Sequence, residues 1–173
     1  LKQNPESQYR TALDLFQKEK FGAAQAIFEK IINETADQDQ SVVVDATYYD
    51  AICALELKHK NTEFKLKNFI NKYPTSSKIK RIYFQLGKFQ FSNKAYRKAL
   101  ESFQKVDRND LSKNELDEYH FKTGYCFLKM NDTKNASYAF EEVSKSNSIY
   151  APSSKYYVAH LAYLNKDYET ALP

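Results

Sequence analysis

The sequence predicts an all-α fold built from helical hairpins. Only three Gly and four Pro occur in 173 residues, too few for the frequent turns of an all-β fold. A pattern of small and aromatic residues also recurs along the chain. Three pairs of like residues stand 37 positions apart: Gly87 and Gly124, Ala99 and Ala136, Phe103 and Phe140. Self-similarity at such a period is typical of stacked helical repeats.

Composition excludes several classes of protein. With 42% hydrophobic and 15% aromatic residues, the chain is too apolar to be disordered. The net charge of +4, from 26 basic and 22 acidic residues, is too small to give the strong basic field of a dedicated nucleic-acid binder. No run approaches 18 consecutive apolar residues, so we expect no membrane span. Cys53 and Cys126 lie within apolar helical patterns, which predicts buried, unbridged thiols.

The pattern divides the chain into five units of two helices each. Their approximate bounds are 5–37, 41–75, 77–110, 112–148 and 150–173. We expect a single array over residues 1–173, with Ala24, Ala99, Ala136 and Ala171 at equivalent buried positions. Because the chain stops at "YETALP", one turn into a tenth helix, we expect the last hairpin to be truncated and the chain to be a fragment of a longer repeat protein.

Hydrophobic periodicity and capping residues place the individual helices. The predicted spans are 6–19, 21–34, 41–59, 61–73, 77–92, 95–107, 112–129, 132–146, 150–165 and 167 onward. Asn93 and the pair Asn131-Asp132 are candidate caps of second helices, and Ser112 with Glu115 resembles a capping box. Pro152 fits the first turn of a helix.

These residues resemble the tetratricopeptide repeat. In that family a small residue on the first helix is followed by an aromatic, an alanine and another aromatic on the second, as in Gly87, Tyr96, Ala99 and Phe103. The resemblance implies a right-handed superhelix whose first helices line a concave wall. Two departures stand out: the period is 35–38 residues instead of 34, and Thr62 occupies the small-residue position of the second unit.

Two segments carry a finer resemblance. "FINKYPTSSKI" is similar to repeats of bacterial envelope proteins such as the outer-membrane-protein assembly lipoprotein and the periplasmic coordinator of the Tol-Pal system. "LFQKEKFGAAQAIFEKI" is similar to the opening repeat of long multi-repeat proteins of Bacteroidetes. These similarities imply the bacterial periplasm or the periphery of the outer membrane, with the cytoplasm as the alternative compartment.

Residues with catalytic or metal-binding chemistry are scattered. The three glycines are isolated, so no glycine-rich phosphate loop is present in the sequence. His59, His120 and His160 have no metal-ligand spacing with each other or with the cysteines. We therefore predict a protein that is not an enzyme and that binds neither a cofactor nor a metal.

The resemblance implies that a protein or peptide partner binds the concave face. Carried over in register, that face comprises Phe84, Lys88, Phe91, Phe121, Tyr125, Tyr156, His160 and Tyr163, with Arg81 and Lys129 at its edge. Aromatic side chains of this kind mark interfaces when they are exposed, which predicts a scaffold for protein–protein interaction.

Two alternatives remain open at this point. If the rings belong to the core, neighbouring repeats bury them. The chain is then a structural spacer or a self-association module with no peptide in its groove. The repeats also fit an accessory region of an enzyme whose chemistry lies in a neighbouring domain.

Overall fold

The computed structural model describes residues 4–37 and 40–164. Within these ranges the chain forms nine α-helices and no strand, which confirms the all-α prediction. In order they are α1 (Pro5–Gln17), α2 (Phe21–Glu34), α3 (Ser41–Glu56), α4 (Thr62–Lys72), α5 (Ile79–Ser92), α6 (Tyr96–Phe103), α7 (Lys113–Lys129), α8 (Thr133–Ser144) and α9 (Ala151–Leu164). A short 3-10 helix, Arg108–Asp110, precedes α7. The predicted tenth helix and Ala171 lie outside the described residues.

The chain divides between Leu86 and Gly87 into two compact units. In the first unit α1 packs on α2, α2 on α3, and α3 on α4. In the second unit α6 packs on α7, α7 on α8, and α8 on α9. Within each unit a helix therefore packs on the next helix in the sequence, as expected for consecutive hairpins. No helix in residues 4–37 or 40–164 combines the length and apolar character needed to cross a bilayer.

Three of the predicted helix starts are confirmed. The Ser112 hydroxyl accepts a hydrogen bond from the Glu115 N–H at 3.4 Å, and Glu115 Oε2 accepts one from the Ser112 N–H at 2.9 Å. Asp132 Oδ1 accepts from the Asn135 N–H at 3.1 Å, and Pro152 lies in the first turn of α9. The Ser112 and Asp132 side chains satisfy backbone donors that a helix start leaves without partners, and Pro152 has no N–H that would need one.

The first helix of a hairpin ends with a left-handed residue. In the described chain the non-glycine residues with positive φ, all between 56° and 60°, are Glu19, Lys58, Lys94 and Asn131, and they follow α1, α3, α5 and α7. After α5, the Lys94 N–H donates to the Phe91 carbonyl and the Ala95 N–H donates to the Gln90 carbonyl, both at 2.9 Å. The pattern is a Schellman motif, which closes the helix and turns the chain.

This turn explains why the predicted cap at Asn93 is wrong. Asn93 precedes the left-handed Lys94 and therefore belongs to the end of α5. Its Nδ2 donates to the Phe89 carbonyl at 3.1 Å. The N-cap of α6 is Ala95, whose side chain makes no capping hydrogen bond.

A phenylalanine ring of each second helix in the second unit lies against the backbone of the preceding first helix. A Cβ atom added to Gly87 would come within 2.6 Å of Phe103 Cε1, and one added to Gly124 within 3.1 Å of Phe140 Cε1. Both rings are fully buried. The predicted register of small residues is therefore confirmed, and Ala24, Ala99 and Ala136 are likewise fully buried.

Phenylalanines of second helices in both units also pack on the following first helix. Ring centroids are 5.5 Å apart for Phe28 and Tyr49, 5.8 Å for Phe103 and Tyr119, and 4.7 Å for Phe140 and Tyr157. Aromatic pairs at such distances contribute beyond the area that they bury. Each of these rings thus joins its own hairpin to the next one.

The first unit contains a polar network between α2, α3 and α4. Lys65 Nζ donates to both carboxylate oxygens of Asp50 at 2.7 Å and to Glu29 Oε1 at 2.8 Å. Gln25 Nε2 donates to Asp50 Oδ1 at 2.9 Å. Burial alone would lower the pKa of Lys65, but the hydrogen bonds and charges of Asp50 and Glu29 outweigh it and the pKa is raised. The ammonium group therefore stays charged throughout the neutral range.

Thr62, the departure from the small-residue pattern, is fully buried at the start of α4. Its hydroxyl donates to the Ala54 carbonyl at 2.8 Å and lies 2.7 Å from the His59 carbonyl. A threonine is accommodated here because its hydroxyl satisfies carbonyl groups at the end of α3.

The three glycines should respond differently to alanine. Gly87→Ala forces a methyl group into the buried Phe103 ring, and we expect it to lower the free energy of unfolding by roughly 1–3 kcal/mol. Gly124→Ala, with contacts of 3.1–3.2 Å, should have a smaller effect. Gly22 has no atom within 4 Å of an added Cβ, so Gly22→Ala should stabilise α2 by up to about 1 kcal/mol. Thermal unfolding followed by circular dichroism measures all three, and equal midpoints would contradict the assigned packing.

Lys65→Met should leave the Asp50 carboxylate buried without its cation. We expect a loss of roughly 3 kcal/mol or more, because breaking a buried ion pair leaves an uncompensated charge. Because the pKa of Lys65 is raised above 10.5, its contribution is complete below that pH and is lost only as the pH rises through the raised value. Lys67→Met is the matched control, since Lys67 forms an exposed pair with Glu63 on the same helix worth at most about 1 kcal/mol. Urea unfolding measures the free energy of unfolding of both variants. Equal losses in the two variants would refute the stabilising role of the network.

Candidate functional site

The candidate site is a ladder of three aromatic rings on successive first helices of the second unit. Its members are Phe91 on α5, Tyr125 on α7 and Tyr157 on α9. The ring centroids of Phe91 and Tyr125 are 5.6 Å apart, and those of Tyr125 and Tyr157 are 6.0 Å apart. All three rings are half-buried. We call these residues the aromatic ladder.

Further rings support the ladder from both ends. Tyr96 at the start of α6 packs on Phe91 at 5.7 Å and on Tyr125 at 5.5 Å. Phe121 stacks on Tyr150 at 4.9 Å and lies 6.5 Å from Tyr157. Because each ladder ring is held by at least two others, the surface is preorganised and little side-chain entropy remains to be lost on binding.

Lysines flank the ladder. Lys122 Nζ lies 4.7 Å from the centroid of Phe91, and Lys129 Nζ lies 5.2 Å from that of Tyr125. Lys88 and Lys122 each lie 3.3 Å from a carboxylate oxygen of Glu118. Two lysines therefore pair with one carboxylate and a third, Lys129, lies beside Tyr125, so the face carries a net positive charge next to its half-buried rings.

The phenols of Tyr157 and Tyr150 stay protonated at neutral pH. Burial raises the pKa of Tyr157, and the neighbouring Tyr125 adds to the shift. Burial also raises the pKa of Tyr150, followed by the charge of Glu118. These hydroxyl groups therefore act as hydrogen-bond donors and acceptors and add no negative charge to the face.

The ten residues predicted for the binding face differ in how deeply they are buried. Phe84 is fully buried, so its predicted exposure is wrong. Half-buried positions are held by Arg81, Lys88, Phe91, Phe121 and Tyr125, whereas Tyr156, His160, Tyr163 and Lys129 are exposed. Arg81 and Phe84 belong to the first unit and the other eight residues to the second. That a partner binds these residues stays a prediction.

Sequence reasoning missed Tyr157 and placed Tyr156 in its position. Tyr156 is 64% exposed and stacks on His160 at 5.9 Å, and it meets the ladder only edge-on, with its ring centroid 5.4 Å from that of Tyr157. One residue turns a helix by about 100°, so a shift of one exchanges a ladder position for a solvent position. The signal was available: Tyr157 follows Tyr119 by 38 residues, the upper end of the repeat period, and both rings pack on the phenylalanine of the preceding helix.

The described residues show no arrangement typical of catalysis. In residues 4–37 and 40–164 no group of three or more His, Cys, Asp or Glu side chains is placed to hold a metal ion. Cys53 and Cys126 are buried and unbridged, and burial raises the pKa of each thiol to about 12. At neutral pH both are protonated and serve as packing groups.

Comparison with known proteins supports the helical-repeat fold. The tetratricopeptide repeat family model matches residues 118–147, which cover most of α7 and all of α8. No curated protein matches the chain.

Solved structures share the fold. A structure of MamA AMB-1 is 14% identical with a TM-score of 0.75, over 98% of this chain and 86% of that one. A Podosopora anserina structure with nearly identical TPR-like repeats, assigned to kinesin light chain, is 12% identical with a TM-score of 0.66, over 98% of this chain and 92% of that one. The predicted tetratricopeptide-like fold is confirmed.

Phe84→Ala and Tyr156→Ala separate a core position from a surface position. Removing the buried Phe84 ring leaves a cavity and should cost roughly 3–5 kcal/mol of unfolding free energy. Tyr156 is 64% exposed, so its truncation should change stability by no more than about 0.5 kcal/mol. Chemical denaturation measures the unfolding free energy of both variants. If the Phe84→Ala variant were as stable as Tyr156→Ala, Phe84 would not be a core residue, and its assignment to the binding face would be correct.

Proposed function

Since the chain carries a tetratricopeptide repeat and the fold of tetratricopeptide-repeat proteins, we propose that it is a non-catalytic scaffold for protein–protein interaction. The partner is a protein or peptide, and the proposed binding surface is the aromatic ladder of the second unit with its flanking lysines. The observation that carries this proposal is the half-buried line of Phe91, Tyr125 and Tyr157 beside Lys122 and Lys129.

The chemistry of the ladder favours an acidic segment with apolar side chains. Fixed aromatic rings supply contact area at low entropic cost, as in known interface hot spots. Lys129 is exposed and bears no salt bridge among the described residues, so its charge is available to a partner carboxylate. Electrostatic attraction of this kind contributes chiefly to the association rate and to specificity.

A second candidate function is self-association through α9. Tyr156, Tyr163 and Leu164 are 64%, 63% and 56% exposed, an unusual concentration of large side chains on one short helix. In that case the chain is a spacer or self-association module within a larger protein. The compartment remains as the resemblance implies: bacterial periplasm or outer-membrane periphery, or else cytoplasm.

The binding proposal is tested with peptides of defined charge. Fluorescein-labelled peptides that alternate Glu with Leu, or Lys with Leu, are titrated with the protein and followed by anisotropy. We expect the acidic peptide to bind and the basic one not to. Tyr125→Ala should weaken binding by about 1–2 kcal/mol, roughly tenfold, and Lys129→Glu should weaken it further, because it reverses a charge beside the ladder.

Two variants serve as matched controls. Tyr138→Ala removes an exposed tyrosine of α8, and Lys98→Glu reverses an exposed charge on α6; neither residue belongs to the ladder. Circular dichroism checks that helical content is retained. Equal affinity for both peptides, or equal losses in site and control variants, would refute the ladder as the site. A concentration-dependent dimer without peptide binding would favour self-association.

A further inference from the structure

One carboxylate lies among the lysines that flank the aromatic ladder. The carboxylate oxygens of Glu118 on α7 lie 3.3 Å from Lys122 Nζ and 3.3 Å from Lys88 Nζ. Lys122 follows Glu118 by one helical turn, which is the favourable order for a Glu–Lys pair on a helix, whereas Lys88 belongs to α5. Glu118 therefore links two consecutive first helices beside the surface proposed to bind peptide.

The pair formed by Glu118 and Lys122 is sheltered from water. Each of the two side chains is 16% exposed, against 33% for the side chain of Lys88. Lys122 Nζ also lies 4.7 Å from the centroid of the Phe91 ring, so the ammonium group is held between a carboxylate and a ring of the ladder. Partly buried charges of this kind are screened by salt much less than exposed charges. Lys129 is instead exposed.

The charge of Glu118 also acts on the aromatic residues of the site. Together with burial, which is the larger cause, it raises the pKa of Tyr150, and Tyr150 stacks on Phe121 at 4.9 Å. A partner carboxylate that approaches Lys122 therefore meets a cation that is already paired and a like charge that repels it.

We propose that Glu118 is an internal carboxylate that occupies Lys122 and so limits how strongly the ladder and its lysines attract acidic segments. The inference rests on the proposed function, because it concerns the charge selectivity of the same surface. Lys129 is then the cation that a partner carboxylate contacts, and the repulsion from Glu118 disfavours segments with a high density of negative charge. Specific interfaces use such a repulsive element as well as attraction.

The test compares Glu118→Gln with the loss of an equal charge elsewhere. In the anisotropy titration, Glu118→Gln should bind the peptide that alternates Glu with Leu about two- to fivefold more tightly, because Lys122 becomes available to it. The gain should shrink as salt is added, since it is electrostatic. Adding Lys122→Gln to Glu118→Gln should remove the gain. Glu101→Gln, which removes the same charge from an exposed position of α6, should match the wild type.

The outcomes separate this inference from the proposed function. If the wild type prefers the acidic peptide but Glu118→Gln binds it no more tightly than Glu101→Gln does, the inference is overturned and the ladder remains the site. Weaker binding by Glu118→Gln also overturns it, because Glu118 then positions Lys122 for the partner. If the wild type does not distinguish the acidic from the basic peptide, the proposed function fails and the inference fails with it.

A second variant covers a loss of folding. Circular dichroism checks that Glu118→Gln keeps its helical content. Glu118→Ala removes the same charge and introduces the residue with the highest helix propensity, so it replaces Glu118→Gln if that variant unfolds. It should also bind the acidic peptide more tightly than the wild type, and equal or weaker binding would overturn the inference.

Discussion

The contact between a phenylalanine ring and a glycine on the facing helix determines how the hairpins of the second unit are built. Phe103 and Phe140 lie directly against Gly87 and Gly124, so the two helices of a hairpin approach more closely than an alanine would allow without adjustment. Each ring also packs on a tyrosine of the following first helix. One residue thus sets both the spacing within a hairpin and the attachment of the next.

The first unit has the same kind of aromatic packing, between Phe28 and Tyr49, and adds polar contacts to it. Thr62 replaces a small residue, and its hydroxyl donates to the Ala54 carbonyl of α3. Lys65 joins Asp50 and Glu29 from two other helices. A buried polar network stabilises only when every member has a partner.

Helix α7 holds the central ring of the aromatic ladder. The capping box at Ser112 and Glu115 begins this helix, and the left-handed Asn131 follows its end. Gly124 of α7 packs against the Phe140 ring, and Tyr125, the next residue, lies between Phe91 and Tyr157. The packing that joins α7 to α8 therefore also sets the position of the ladder.

The sequence by itself determined the helices, their approximate bounds and the register of small residues, because helical periodicity, capping side chains and repeat spacing are all encoded within a few turns of chain. It also placed Phe121 and Tyr125 correctly among half-buried rings. Only the tertiary structure decided that Phe84 is core, that Tyr157 and not Tyr156 completes the ladder, and that Lys88 pairs with Glu118 of the following first helix. Those outcomes depend on which distant side chains cover each face, and a rotation of about 100° per residue makes a shift of one position sufficient to exchange core for surface.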